Sequence, residues 1–163
     1  MALSKIDAVN FLTGTIPSGN IATSSLAAAA TGKVLQVVSV TNTTQQTTTS
    51  QSFVASTGLT ASITPSSTSS KILISVMSNV RSSADAAYTL YRGSTNLAGS
   101  GSFVQIYAGG SDTRQLMTIN YLDAPSTSSS TAYTLYFLAG SGTAYINQEG
   151  SKQGQIILTE IGG

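Results

Sequence analysis

The chain holds no histidine, no cysteine and no tryptophan, and only three prolines. Charge is scarce as well: 7 Lys and Arg stand against 6 Asp and Glu, so charged residues make up 8% of 163 positions and the net charge is +1. Each shortage excludes a class of chemistry. Without His or Cys there is no zinc site of the usual kind, no haem ligand from those residues, no Cys or Ser–His nucleophile and no disulfide framework. A net charge near zero gives no electrostatic footprint for nucleic acid and nothing that draws an acidic partner. Long apolar runs are missing too. The longest, Leu26–Ala30, falls far short of the ~20 residues of a membrane span. The stretch after Lys5 that a signal peptide would need is broken by Asp7 and Asn10. Synthesis in a cytoplasm without Sec export is therefore expected.

What the chain does have is hydroxyl groups and apolar strands. Ser and Thr fill 50 of the 163 positions. Such a composition raises the question of disorder, but 40% of residues are hydrophobic and the mean hydropathy is +0.16. Disordered chains combine low hydrophobicity with high net charge, and this one has neither. The length suits one domain with an appendage, and a domain of this size buries about 68–70% of its unfolded surface without needing covalent staples.

Residues 1–32 differ from the remainder. Ile6, Phe11, Ile16, Ile21 and Leu26 recur every five residues, which is neither the 3.6 period of a helix nor the 2 of a strand. Gly14, Pro17 and Gly19 disfavour a continuous helix. The spacing predicts an extended docking arm whose apolar residues find their partner outside the chain. The alternative is a short coil, because the pattern is similar to a pentapeptide repeat. Five pentads are few for that, since stacked repeats need about three neighbouring units to bury a core.

From residue 33 to residue 163 the pattern is that of strands. Lys33–Val40 has both faces largely apolar, and Lys71–Arg81 reads as a central strand. Further strands are predicted at 51–55, 59–64, 86–92, 102–108, 113–123, 131–139, 143–147 and 155–161, with a polar tract over Thr41–Ser50. Glycines and prolines punctuate the gaps. Short β-branched and aromatic segments at this spacing predict an all-β fold, an antiparallel β-sandwich of jelly-roll type rather than a closed barrel. One segment echoes another: Ala87-Tyr88-Thr89-Leu90-Tyr91 returns as Ala132-Tyr133-Thr134-Leu135-Tyr136, and Ala98-Gly99-Ser100-Gly101 as Ala139-Gly140-Ser141-Gly142. The structural reading is two equivalent hairpins, one in each half of the sandwich; coincidence is the alternative in so biased a composition.

Catalytic candidates are thin. Asp7, Asp85, Asp112, Asp123, Glu149 and Glu160 are scattered singly, whereas glycoside hydrolysis needs two carboxyl groups facing each other across the bond. A nucleophilic serine needs a base, and Lys5, Lys33, Lys71 and Lys152 sit in no recognisable motif. The glycine pairs lie between strands, not before a helix, so they are turns and not phosphate cradles. Tyrosines could stack on sugar rings. Tyr107 and Tyr145, near strand ends beside glycine turns, are the candidate glycan contacts; the others suit cross-strand and core positions.

Several segments carry a resemblance. Leu12-Thr13-Gly14-Thr15-Ile16-Pro17-Ser18-Gly19-Asn20-Ile21-Ala22 resembles linker segments of tailed-bacteriophage tail-fibre and virion proteins. Gly32–Val38, the Tyr121–Pro125 corner with its Ser/Thr loop, and Gly142–Asn147 are similar to a β domain of marine and cyanobacterial phage structural proteins. The resemblance implies a virion structural protein, and a docking arm joined to a compact β-sandwich favours the capsid surface over the tail. Its expected role is capsid decoration or cement, with no enzymatic activity and no cofactor. The expected partners are the major capsid protein or another virion protein and further copies of the chain, a homotrimer being favoured, with no nucleic acid or membrane. The alternative is a tail-fibre or receptor-binding module that contacts host glycan.

Overall fold

A computed structural model of the chain describes residues 34–109, 111–147 and 153–162. The arm predicted for 1–32, with Ile6, Phe11, Ile16, Ile21 and Leu26, lies outside the described residues. Those described are strands and turns without a helix: β1 (Val34–Asn42), β2 (Gln46–Thr48), β3 (Val54–Ile63), β4 (Lys71–Ser82), β5 (Ala86–Arg92), β6 (Thr95–Asn96), β7 (Val104–Ile106), β8 (Thr113–Asp123), β9 (Thr131–Ala139), β10 (Ala144–Ile146) and β11 (Gly154–Ile161).

The eleven segments form eight lines of chain. β1 pairs with β11 and β2 with β10, while β10 and β11 lie end to end along one edge of β4. β1 and β2 are thus one interrupted strand, and β10 and β11 another. β6 and β7 likewise share one edge of β5. The first sheet runs β1/β2, β10/β11, β4, β8, and the second runs β3, β9, β5, β6/β7, every pairing antiparallel. The chain crosses between sheets at every connection except the one from β5 to β6/β7. This is the eight-stranded, two-sheet order of a jelly roll, and the expected antiparallel sandwich is the fold observed.

Alternation explains the faces. Along β4, Ile72, Ile74, Val76, Ser78 and Val80 point inward and are buried, and along β11 Ile156 and Leu158 do the same. The second sheet contributes Leu59, Ala61, Ile63, Tyr88, Leu90, Tyr133, Leu135 and Phe137. Tyr88 and Phe137, opposite each other on β5 and β9, lie with rings nearly parallel and centroids 6.4 Å apart. Each fully buried Ile, Leu or Phe contributes about 1.5–3 kcal/mol, so the inner faces hold the sheets together.

Two expectations are corrected. The strands predicted at 51–55 and 59–64 are one strand, β3, with a register irregularity between Ala55 and Thr60. Gly58 makes a bulge there instead of a turn: the Ser56 hydroxyl accepts hydrogen bonds from the Gly58 and Leu59 amides. A Cβ on Gly58 would collide with the Asn42 side chain. The second correction concerns the echoed segments. They are not hairpins in separate halves but neighbours in one sheet, with Tyr91 opposite Thr134 and Thr89 opposite Tyr136. The same in–out alternation suits adjacent strands, burying Tyr88, Leu90, Tyr133 and Leu135 while Tyr91 and Tyr136 stack outside at 3.9 Å.

Asn147 sits where β10 ends, with positive φ (51°) and its side chain fully buried. Its amide group donates to Asn42 Oδ1 (2.9 Å) and the Thr44 carbonyl (3.2 Å), and its Oδ1 accepts from the Ser78 hydroxyl (2.9 Å). One side chain thereby fastens three lines of the first sheet where two of them are interrupted. Gly154 completes the fit, since a Cβ there would strike Asn147.

Candidate functional site

The two candidate tyrosines have different fates. Tyr107 follows β7 and is 75% exposed, the most exposed large apolar side chain among the described residues. Tyr145, in β10, is half-buried, and the Arg81 guanidinium covers its ring at 4.7 Å from the centroid. Arg81 is held in turn by Asp112 at 2.7 Å, with Arg114 3.7 Å from the same carboxylate. The Tyr145 face is therefore occupied by a cation, whereas the Tyr107 face is open.

Tyr107 borders a groove of about 200 Å³, lined by Asp85, Ala86, Ala87, Gln105, Ile106, Tyr107, Leu138 and Gly140. Strand register explains the hollow. Gln105, Ala87 and Leu138 form one row across the second sheet, with the smallest side chain in the middle. Ala87 sets the floor, Leu138 one wall, and Gln105 with Tyr107 the other. The Tyr107 hydroxyl donates to Gln105 Oε1 at 2.8 Å, which fixes the exposed ring. Asp85 closes the end, where its backbone carbonyl accepts from the Gly140 amide at 2.8 Å. Among the described residues its carboxylate has no hydrogen-bond partner. The small residues that open β5 were a signal in the sequence, but only the register reveals that Ala87 forms a floor while Ala86 faces the core.

The other described carboxylates are engaged elsewhere. Glu160 is fully buried with no ion-pair partner among the described residues; its Oε1 accepts from the Ser66 amide (2.7 Å) and hydroxyl (2.6 Å), its Oε2 from Gln36 Nε2 (2.6 Å). Burial pushes this carboxyl up, but the donated bonds from Ser66 and Gln36 outweigh it and bring the group down to about 2. Asp123 accepts two bonds from Arg92 Nη1, both 2.9 Å, and one from the Tyr133 hydroxyl at 2.7 Å. Burial, with the Asp123 bond and charge added, raises the Tyr133 phenol far above its ordinary range. Asp112 is lowered by its bond from Arg81. No group of three or more metal-ligating side chains comes together among the described residues. The groove has one carboxylate, one amide and one phenol ring, a set suited to hydrogen bonding and stacking.

A second feature escaped the sequence. The outer face of the first sheet carries Val37, Met77, Leu116 and Leu122 exposed, with Leu73 and Ile157 half-buried among them. In register, Val37, Thr159, Leu73 and Leu122 make one row, Ser39, Ile157, Ser75 and Asn120 the next, and Thr41, Gln155, Met77 and Thr118 a third. None of these side chains is charged. Val34 and Leu35, also exposed, extend the apolar surface at the start of β1.

Comparison with known proteins finds no matching family model and no matching curated relative. The functional reading therefore rests on the residues and their geometry.

Proposed function

We propose that the chain is a structural protein of a tailed-phage virion, a decoration or cement protein seated on the major capsid protein. The three uncharged middle rows of the first sheet's outer face, between Lys71 at one end and the Arg81–Arg114 pair at the other, support this reading best. Interface cores are depleted in charge, and a contiguous exposed apolar surface on a water-soluble domain marks a place where another protein sits. Its partner would be an equally uncharged protein surface, with contact spread over rows of Val, Leu, Met, Ser and Thr. Residues 1–32 would add spaced apolar anchors, and a symmetric ring, a trimer in the favoured form, would multiply them. The resemblance of 12–22 and of the β segments to phage structural proteins supplies the setting.

Virions that contain the chain provide the test, by quantitative mass spectrometry and cryo-electron microscopy. Hundreds of copies on the head are expected. A few copies confined to the tail would favour the fibre reading instead, and absence from particles would overturn both. Deleting residues 1–31 should leave a folded β domain that no longer binds the particle; full occupancy by the truncated protein would overturn the docking role of the arm.

A further inference from the structure

The groove beside Tyr107 lies on the second sheet, away from the proposed docking face, and has a chemistry of its own. We infer that it binds a single neutral sugar ring. A pyranose has a C–H face that stacks on an aromatic ring and a hydroxyl rim that needs acceptors and donors together. Tyr107 provides the platform: it is 75% exposed, yet oriented by the bond from its hydroxyl to Gln105 Oε1. An exposed aromatic ring that is already fixed loses little freedom when a ligand covers it. Leu138 gives the opposite wall an apolar surface.

The rim is complementary. The Asp85 carboxylate, without a partner among the described residues, accepts from sugar hydroxyls, and the Gln105 NH2, whose oxygen is already engaged, donates to them. Among the described residues no lysine or arginine lines the groove, so an anionic sugar would meet Asp85 uncompensated by them. Selectivity for neutral rings follows. The volume of about 200 Å³ is below the about 300–1,000 Å³ of pockets that engulf a drug-sized ligand. It fits one ring, with the rest of a chain left in solvent.

Saturation-transfer NMR on the full chain tests this, with methyl galactoside, methyl glucoside and N-acetylglucosamine as neutral probes and glucuronate as the anionic one. At least one neutral sugar should bind with roughly millimolar affinity. Tyr107→Ala should weaken it about tenfold, the worth of one aromatic contact. Asp85→Asn should narrow the preference over glucuronate, and Ser128→Ala, exposed in the loop between β8 and β9 at the other end of the sandwich, should bind as the parent does. Thermal unfolding of each variant confirms that it is folded, and Tyr107 is too exposed for its loss to endanger the core. Failure of every neutral sugar to bind would overturn the proposal. So would unchanged binding by Tyr107→Ala, or a preference for glucuronate.

Discussion

Tyr88 and Tyr133 hold the same place in two copies of one five-residue segment, are equally buried, and fasten opposite ends of the sandwich. Because β5 and β9 run antiparallel, the hydroxyl of Tyr133 reaches Asp123 at one end and that of Tyr88 reaches the other. Tyr133 makes a 2.7 Å bond to a carboxylate that Arg92 also holds. Tyr88 meets only backbone carbonyls, Tyr145 at 3.2 Å and Arg81 at 3.4 Å. Glu160 lies at the Tyr133 end as well: Gln36, Glu160, Ile72 and Asp123 form one row across the first sheet, with two carboxylates flanking an isoleucine. One end is thus locked by charge, and the other, beside the groove, by weaker neutral bonds. Charge-assisted bonds are roughly twice as strong as neutral ones. Among the described residues the ion pair that bridges the two sheets lies at the Tyr133 end, whereas Arg81, Arg114 and Asp112 pair on the first sheet's outer face, and the end with neutral bonds carries the groove-forming loops.

The largest break in that comparison is Asp123→Ala. It leaves the Arg92 guanidinium and a buried phenol without their acceptor. Breaking a buried pair costs about 3–5 kcal/mol. Arg92 is 31% exposed and recovers some hydration, so the lower half of that range is expected. Denaturant unfolding should show the midpoint fall with an unchanged slope. A loss below about 1 kcal/mol, the worth of an ordinary neutral bond, would mean that charge does not lock this end.

Glu160→Gln is the next break and separates charge from shape. Gln keeps an acceptor for Ser66 but turns an NH2 toward the donors around Oε2. A loss of about 1–3 kcal/mol at neutral pH is expected, the cost of replacing bonds to a charged group. The acid limb gives the sign. The carboxyl sits at about 2 when folded against an ordinary 4.5, so its stabilisation is complete above 4.5. It is lost as pH falls from there toward 2. Parent and variant curves should converge across that window. Parallel curves would show that the loss comes from the misdirected NH2 and not from the missing charge.

Much of this frame was legible. Alternation in Lys71–Arg81 and Thr113–Asp123, with glycine and proline between segments, located the strands within a few residues, because a half-buried strand must repeat with period two. Pairing was not legible, since the period says which face is buried but not beside which neighbour. The echo illustrates this: Ala-Tyr-Thr-Leu-Tyr in both copies fits either separate sheets or adjacent strands. Gly58 fell in the gap between two predicted strands, because its need for room comes from Asn42, sixteen positions away in sequence. For the groove, Tyr107 was readable as a strand-end aromatic beside glycines. Asp85, Gln105 and Leu138 were not, since only the row through Ala87 brings them together. Tyr145 had the same signal as Tyr107, and only the position of Arg81 separates them.

Tyr88→Phe is the smallest break and probes the weaker end. Removing one hydroxyl that shares its proton between two carbonyls should cost about 0.5–1.5 kcal/mol at neutral pH. Tyr133→Phe, which takes a donor from a buried carboxylate, should cost about twice as much. High pH reads the comparison independently. Burial raises Tyr88 above the ordinary 10.0 despite the opposing bond to Tyr145. Its neutral form therefore stabilises the fold fully below pH 10, and that contribution is lost as pH rises past the unfolded value. The phenylalanine variant has nothing to ionise there, so its deficit relative to the parent should shrink at alkaline pH. Equal losses for both tyrosines at neutral pH would remove the asymmetry between the ends. The absence of any deficit in Tyr88→Phe would place its role in ring packing against Phe137 instead of in the hydroxyl.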